Sequence, residues 1–280
     1  MTTKGKDTQH QKQKKLTLKS VHKEVCRIRK DSPISKQVED AFNIMLDALN
    51  RYGTTALSMS FNGGKDCTVM LHLYYAVLYQ YLTDRAASKI TNGSTNGSSD
   101  NGTLAADGNG TSDTTITAPP IKCLYVTCVD PFPEVDDFVD ECTQVYNLDL
   151  DRIAEPMKEA LQKFLDVESS VQAILIGTRR TDPFAQNLIP FDPTDNGWPS
   201  VMRVHPILDW DYADIWMYLR LLEVDYCSLY DRGYTSLGGI GNTLPNPALA
   251  NPLVPGEFLP AYELKDAVSE RDGRGKSKSS

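Results

Sequence analysis

Residues 54–82, TTALSMSFNGGKDCTVMLHLYYAVLYQYL, contain two apolar segments joined by a short loop rich in glycine. The first segment, 54–61, is typical of a short buried strand, and the second, 67–82, is an apolar run long enough for a helix. Residues 62–66 (NGGKD) interrupt both patterns, because paired glycines break regular structure. This stretch therefore predicts a strand, a glycine loop and a helix in direct succession.

The glycine loop has the physical properties of an anion site, although it matches neither GxxxxGK[ST] nor GxGxxG. Gly63 and Gly64 allow a tight turn that presents backbone N–H groups, and the following helix directs its positive end towards them. Lys65 adds a charge, Asn62 adds an amide donor, and Asp66 can cap the helix or bind a phosphate-bridging Mg²⁺. The alternative is a turn in which glycine serves geometry alone. The ordered set of residues favours phosphate binding.

The rest of the chain alternates strand and helix patterns. Strands are predicted at 121–129, 147–151, 173–176 and, as an edge strand, 204–206; helices are predicted after Pro33 and at 135–146, 157–165 and 211–222. Alternation of this kind, with nearly continuous apolar strands, is typical of parallel sheets. The predicted fold class is α/β, with a mostly parallel twisted sheet, helices on both faces and an irregular C-terminal segment. Ligands of such sheets bind beyond the carboxyl ends of the strands.

Charge and composition divide the chain into segments. Residues 1–36 hold 11 Lys and Arg against 3 Asp and Glu, a net charge of +8, so the rest of the chain carries −16 of the total of −8. We predict a basic flexible tail at 1–31 and a single α/β domain at 32–280. Residues 86–118 are rich in Asn, Gly, Ser and Thr and contain no aromatic side chain. They are predicted to be a disordered insertion, because they cannot bury enough apolar surface to offset their ordering entropy.

Several classes of protein are disfavoured by composition. No run reaches the roughly 18 apolar residues of a membrane helix, and residues 1–19 resemble neither a secretory signal nor a mitochondrial presequence. The six cysteines form no CxxC pair, which indicates reduced, mostly buried thiols. The acidic body disfavours nucleic acid binding through the general surface. We therefore expect a cytoplasmic protein, a monomer, that acts on small molecules and binds neither nucleic acid nor membrane.

Further motifs follow the loop in a fixed order. They are SFNGGKD at 60–66, GTRRTDP at 177–183, NGWP at 196–199, MRVHPI at 202–207 with Trp210, LYDRGYTSLGG at 229–239, and a closing segment from AYEL at 261–264 to ERDGR at 270–274. The loop resembles the PP-loop of the ATP pyrophosphatases. The ordered set resembles the PAPS-reductase-like proteins and, within them, the fungal FAD synthases (FMN adenylyltransferases). The resemblance covers about residues 35–275 without the insertion. It implies a PP-loop ATPase or adenine nucleotide alpha hydrolase-like fold with an arginine segment at about 261–280.

The resemblance also implies a reaction in which ATP and FMN, with Mg²⁺, give FAD and pyrophosphate. The implied catalytic residues are Asn62, Asp66, Asp182 and Arg271. The implied ATP-binding residues are Ser60, Phe61, Asn62, Gly63, Gly64, Lys65, Val126 and Thr178. The implied FMN- or FAD-binding residues are Arg179, Asp182, Gly197, Trp198, Pro199, Arg203, Arg271 and Arg274. The implied metal ligands are Asp66 and Asp182. Ordinary packing of Trp198 and a basic tail around Arg271 and Arg274 are the alternatives.

The residue types in these motifs also suit adenylyl transfer when they are considered without the family resemblance. The FMN phosphate is already ionised, so its attack on the α-phosphorus of ATP needs no general base. Catalysis then consists of positioning and charge neutralisation. Guanidinium groups match phosphate geometry, which makes the arginines candidates for phosphate binding. Arg180 is the weakest of them, because adjacent side chains rarely point the same way.

Three other functions compete with this one. A thiol-dependent reductase of adenylylated sulfate needs a nucleophilic cysteine in a mobile C-terminal segment, whereas the last cysteine is Cys227. A tRNA-thiolating PP-loop enzyme would have paired CxxC motifs and a basic surface. A non-catalytic flavin or nucleotide sensor would have an eroded site, whereas the implied loop, aspartate and arginine residues are all present. The adenylyltransferase is therefore the leading prediction.

Overall fold

The computed structural model describes residues 16–91, 104–105 and 115–275. Its helices are α1 (Leu18–Lys30), α2 (Ser35–Ala56), α3 (Lys65–Thr91), α4 (Pro133–Val145), α5 (Met157–Val167) and α6 (Tyr212–Leu221). Its strands are β1 (Leu57–Ser60), β2 (Leu104–Ala105), β3 (Thr115–Ile116), β4 (Ile121–Val126), β5 (Leu148–Ile153), β6 (Ala173–Leu175), β7 (Phe191–Pro193) and β8 (Met202–Val204). After α6 the chain forms short 3₁₀ helices at Ser228–Arg232, Ile240–Asn242, Pro247–Leu249, Ala261–Glu263 and Ala267–Arg271. This part confirms the predicted irregular C-terminal segment.

Six strands form the main sheet in the order β5-β4-β1-β6-β8-β7. The first five run parallel, and β7 pairs antiparallel with β8. The predicted mostly parallel sheet is confirmed. The predicted edge strand at 204–206 is wrong, because the strand there lies one position inside the sheet and β7, which was not predicted, forms the edge.

Apolar side chains cover both faces of the sheet. On β4, Cys123 and Tyr125 belong to the large core cluster that also includes α2, α3 and α4. Leu124 points to the other face and packs with Leu161 and Phe164 of α5. Successive residues of a strand alternate between faces, so the continuous apolar pattern of β4 reflects burial on both sides. Helices therefore cover both faces, as predicted.

Helix α1 corrects the predicted N-terminal tail. Thr17 caps the helix, with its side-chain oxygen accepting from the backbone N–H of Ser20 at 3.1 Å. The buried face consists of Leu18, Val21, Val25 and Ile28. Nδ1 of His22 lies 3.1 Å from the carbonyl of Ala76, which fixes α1 against α3. The predicted flexible tail is wrong from Leu18 to Lys30, because a buried apolar stripe outweighs the basic composition. Its residues 1–15 lie outside the described residues.

Part of the predicted disordered insertion at 86–118 is regular structure. Helix α3 continues to Thr91, and β2 and β3 form a separate antiparallel pair. Ile116 and Ala118 pack against the main core. The remainder of the predicted insertion, 92–103 and 106–114, lies outside the described residues. The polar composition therefore misplaced both ends of the insertion.

If α1 belongs to the core, Ile28→Ala should lower the free energy of unfolding by about 2–5 kcal/mol, because it leaves a cavity in a fully buried position. The measurement is urea unfolding followed by circular dichroism. The control is Lys23→Ala, on the exposed face of the same helix. Equal stability of the two variants would contradict the assignment of α1 to the core.

Candidate active site

The glycine loop lies at the carboxyl end of β1, and α3 begins at Lys65, two residues earlier than predicted. Oδ1 of Asn62 accepts a hydrogen bond from the backbone N–H of Gly64 at 3.0 Å. The backbone N–H of Lys65 donates to the hydroxyl of Tyr230 at 2.8 Å. Side chains thus hold the loop in a tight turn at the positive end of α3.

Gly63 has a geometric reason to be glycine. Its φ is +72°, which side chains rarely adopt. A Cβ at this position would lie 2.9 Å from Cγ2 of Val139 and 3.4 Å from Cγ1 of Val135, both on α4. The loop therefore packs directly on α4.

The carboxyl ends of β1, β4 and β6 open into a cavity of about 460 Å³. Of the predicted ATP-binding residues, those that line it are Ser60, Asn62, Gly64, Lys65, Val126 and Thr178. Phe61 is fully buried, and neither it nor Gly63 is among the lining residues. Of the predicted catalytic, flavin and metal residues, those that line the cavity are Asn62, Asp66, Arg179, Asp182, Arg271 and Arg274. Segments far apart in sequence therefore meet at one sheet edge.

Two cations and two carboxylates form a network at the base of the cavity, which we call the charge network: Lys65, Asp66, Arg179 and Glu270. Nζ of Lys65 lies 3.0 Å from Oδ2 of Asp66 and 2.5 Å from Oε1 of Glu270. Nη2 of Arg179 lies 2.6 and 2.7 Å from the two carboxylate oxygens of Glu270. Nε of Arg179 lies 2.7 Å from Oδ1 of Asp66, as an ion pair without hydrogen-bond alignment. Both cationic side chains are 2% exposed.

The network favours the charged forms of Asp66 and Arg179. Asp66 has low exposure, and burial opposes its ionisation, but the charges of Lys65 and Arg179 hold its pKa below the usual value. Burial alone would lower the pKa of Arg179, yet Asp66 and Glu270 raise it. The positive charges of Lys65 and Arg179 are thus already balanced by carboxylates.

The C-terminal arginine segment reaches the cavity. Arg271 ends the 3₁₀ helix Ala267–Arg271 and is 51% exposed, with Nη1 3.7 Å from Oδ1 of Asp182. Oδ2 of Asp182 accepts from the backbone N–H of Arg179 at 2.8 Å. The guanidinium of Arg274 donates to the carbonyl of Leu237. Both arginines face the cavity, which argues against the alternative of a basic tail.

Known proteins match this arrangement along most of the chain. The phosphoadenosine phosphosulfate reductase domain family matches at residues 56–166 and 152–245. A probable FAD synthase from Schizosaccharomyces pombe is 44% identical over 227 residues, which cover 81% of this chain and 74% of that protein. The chain belongs to the FAD synthase family.

Two further FAD synthase relatives extend the comparison. A probable FAD synthase from Caenorhabditis briggsae is 36% identical over 85% of this chain, which spans 40% of the length of that relative. The crystal structure of Candida glabrata FMN adenylyltransferase with FMN and the ATP analog AMPCPP superposes with a TM-score of 0.73 at 26% identity, covering 93% of this chain and 97% of that one. The same Candida protein in complex with FAD and inorganic pyrophosphate gives a TM-score of 0.72.

Other predicted FAD synthase site residues lie away from the cavity lining. Arg180 pairs with Asp209 at 2.6 Å, pointing away from Arg179. Arg203 on β8 pairs with Asp192 of β7 at 3.2 Å. The predicted flavin residues Gly197, Trp198 and Pro199 lie in the turn between β7 and β8, at the amino end of β8, and Trp198 is 41% exposed. Their roles in flavin binding stay predictions.

Two residues of this site were not predicted from the sequence. Glu270 closes the charge network with Lys65, 205 positions away. Tyr230 accepts the first N–H of α3 across 165 positions. Both residues lie inside motifs that resemble those of FAD synthases, and this resemblance could have marked them as site residues. No local sequence pattern indicated which residues they contact.

Two buried thiols and one buried histidine are not suited to act as nucleophiles. Burial raises the pKa of Cys227 to about 11 and the pKa of Cys67 to about 12, so neither is a ready nucleophile. Burial lowers the pKa of His72 to about 3, and its Nδ1 lies 2.9 Å from the hydroxyl of Tyr218. His72 is therefore a core residue.

Two negative findings apply to the described residues. Within them, no group of three or more His, Cys, Asp and Glu side chains is arranged to hold a metal ion. Among the helices of that same part of the chain, none has both the length and the apolar content needed to cross a membrane.

Gly63→Ala should lower the free energy of unfolding by about 1–3 kcal/mol, because the new methyl group would strain the backbone and press against Val139. The matched control is Gly241→Ala, where a Cβ meets nothing within 4 Å and φ is not positive. Urea unfolding of both variants measures the difference. Equal midpoints and slopes would contradict the close packing of the loop on α4.

Proposed function

We propose that this protein transfers the AMP moiety of ATP to the phosphate of FMN, giving FAD and pyrophosphate. The observation that carries the proposal is the cavity where the glycine loop, Asp182 and the C-terminal arginines meet. The similarity to Candida FMN adenylyltransferase along nearly the whole chain supports it, because that protein forms complexes with FMN and an ATP analog, and with FAD and pyrophosphate.

The reaction exchanges one phosphoanhydride bond for another. An oxygen of the FMN phosphate attacks the α-phosphorus of ATP, the bond to the oxygen that bridges the α- and β-phosphorus breaks, and pyrophosphate leaves with that oxygen. The second pKa of a phosphate monoester is about 6, so the attacking oxygen is already ionised at neutral pH. The protein has to align two anions and offset their charge, and it needs no general base.

Each part of the cavity suits one part of the substrates. The amide nitrogen of Asn62 and the positive end of α3 suit the departing pyrophosphate. The strand-end residues Ser60, Val126 and Thr178 suit the adenine. Because carboxylates already balance Lys65 and Arg179, we assign the α-phosphate and the FMN phosphate to Arg271 and Arg274.

The charge balance of the cavity supports a role for Mg²⁺. Four cationic side chains face three carboxylates along its lining, which leaves a net charge of +1. ATP and FMN together carry several negative charges. A divalent ion that accompanies ATP supplies the missing positive charge.

Of the two aspartates predicted as metal ligands, only one is suited to bind Mg²⁺ in this arrangement. Both oxygens of Asp66 face cations, so in this arrangement Asp66 does not fit its predicted role as a metal ligand. Asp182 lines the cavity, and the cation beside its Oδ1, Arg271, lies 3.7 Å away, which is beyond hydrogen-bond distance. Mg²⁺ commonly takes one or two carboxylates together with substrate phosphates. We therefore assign Asp182 as the carboxylate that would hold Mg²⁺, with phosphate oxygens and water as the other ligands.

The flavin ring needs a flat apolar surface with a few polar contacts. Trp198 offers an exposed indole beside Gly197 and Pro199, in a turn whose carboxylate Asp195 pairs with Arg203 at 3.5 Å. This turn lies at the amino end of β8, whereas the cavity lies at the carboxyl ends of the parallel strands, so an FMN whose phosphate enters the cavity does not reach the turn. We therefore do not assign the isoalloxazine ring to this turn.

We also propose that the protein acts as a cytoplasmic monomer on small molecules, without nucleic acid. The sequence supports this proposal in two ways. The net negative charge of residues 37–280 repels polyanions, and the absence of CxxC pairs among the six cysteines suits a reducing compartment. Light scattering after gel filtration would test the monomeric state.

Incubation of the purified protein with ATP, Mg²⁺ and FMN should form FAD and pyrophosphate in equal amounts, and EDTA should abolish both. Arg271→Ala should lower kcat by about 100-fold, because it removes a cation from the developing phosphate charge. Chromatography of the flavins, with a coupled pyrophosphate assay, measures both effects. The control is Arg27→Ala, an exposed arginine of α1. Intact FMN and ATP with the unaltered protein would overturn the proposed function, and tight flavin binding without reaction would favour a sensor.

Trp198→Ala should leave KM for FMN and KM for ATP unchanged within about 2-fold, because the turn that carries Trp198 lies at the opposite edge of the sheet from the cavity. Leu253→Ala, which truncates another exposed apolar side chain, serves as the control. Initial rates at varied FMN and varied ATP measure the two constants. A KM for FMN raised by about 10-fold would contradict this expectation and would restore the predicted flavin role of the turn.

A further inference from the structure

Glu270 has no part in the chemistry described above, yet it is the most constrained carboxylate at the cavity. Its side chain is 11% exposed, although it belongs to an otherwise exposed stretch of the C-terminal segment. One carboxylate contacts both Lys65 and Arg179. A buried carboxylate with two cationic partners has one well-defined position.

These contacts join three distant parts of the chain. Lys65 is the first residue of α3, directly after the glycine loop. Arg179 lies in the loop that follows β6, three residues before Asp182. Glu270 lies in the 3₁₀ helix Ala267–Arg271, immediately before Arg271. The position of the Glu270 carboxylate therefore determines where the backbone of Arg271 lies relative to the loop and Asp182.

We propose that Glu270 is a positioning residue for the adenylyl transfer: it anchors the C-terminal segment to Lys65 and Arg179 so that Arg271 faces the reacting phosphates. This inference rests on the proposed function. It also assigns Lys65 and Arg179 a role as anchors of this segment, in addition to any contact that they make with ATP.

The backbone of the segment has its own hydrogen bonds, independent of the charge network. The hydroxyl of Thr235 donates to the carbonyl of Glu270 at 2.6 Å. Nδ2 of Asn246 donates to the carbonyl of Ser269 at 2.7 Å. The N–H of Leu244 donates to the carbonyl of Gly273 at 2.8 Å. Loss of the Glu270 charge should therefore shift the segment without detaching it.

Charge balance explains why a neutral residue at position 270 could not anchor the C-terminal segment. The network holds two cations and two carboxylates, so Glu270→Gln would leave one buried positive charge in excess. Lys65 and Arg179 would then share the single carboxylate of Asp66. The amide nitrogen introduced by this substitution would also bring a hydrogen-bond donor towards two other donors, so the segment would lose its fixed position.

The test is a double-mutant cycle on FAD formation, with Glu270→Gln, Arg271→Ala and the double variant. Glu270→Gln should lower kcat by about 10-fold or more, with KM for ATP and for FMN changed by less than about 3-fold, because the lost interaction acts in the transition state. In the Arg271→Ala background, Glu270→Gln should lower kcat by less than about 3-fold. The matched control is Glu263→Gln, an exposed glutamate of the same segment paired with Lys265, which should behave as the unaltered protein.

A second variant keeps the test valid if Glu270→Gln folds poorly. Glu270→Asp retains the charge and should recover most of the kcat lost in Glu270→Gln, with rates normalised to the folded fraction by circular dichroism. Equal kcat values for Glu270→Asp and Glu270→Gln would overturn the proposal. Full multiplication of the single effects in the double variant would also overturn it. Absence of FAD formation by the unaltered protein would instead overturn the proposed function.

Discussion

The buried charge network of Lys65, Asp66, Arg179 and Glu270 is the constraint on which the site depends. Bringing four charges out of water is costly, and the cost is offset only when each charge has partners at hydrogen-bond distance. Loss of one partner leaves an uncompensated buried charge, which typically costs about 3–5 kcal/mol. The four residues must therefore be in place together, and so must the three segments that carry them.

This constraint explains why the positively charged side chains of the site have two different roles. Lys65 and Arg179 are deeply buried and already neutralised, so they act on the architecture of the site. Arg271 and Arg274 face the cavity and have weaker or neutral partners, so their charges are available to anionic substrates. A site for two phosphate-bearing substrates needs both kinds of cation. One kind holds the loops, and the other meets the reacting groups.

The parallel sheet supplies the place where these segments meet. Parallel strands end at one edge, so the loops after β1, β4 and β6 converge on a single cavity. The irregular C-terminal segment closes over this edge through backbone hydrogen bonds of its own. The turn that carries Trp198 lies at the amino end of β8, which is the opposite edge of the sheet, so the fold does not bring this turn to the cavity.

The α/β class, the strand–loop–helix unit and the motifs that identify the family could be predicted from the sequence, because these depend on local patterns and on residue order. The same patterns gave a wrong prediction for α1. Its basic composition suggested a flexible tail, although Val21 and Val25 belong to a buried apolar stripe. The pairing of Lys65 with Glu270 and the hydrogen bond of Tyr230 to the start of α3 are visible only in the folded chain. These contacts join residues that are 165 and 205 positions apart, so they depend on how the whole chain folds. The local spacing of residues carries no information about them.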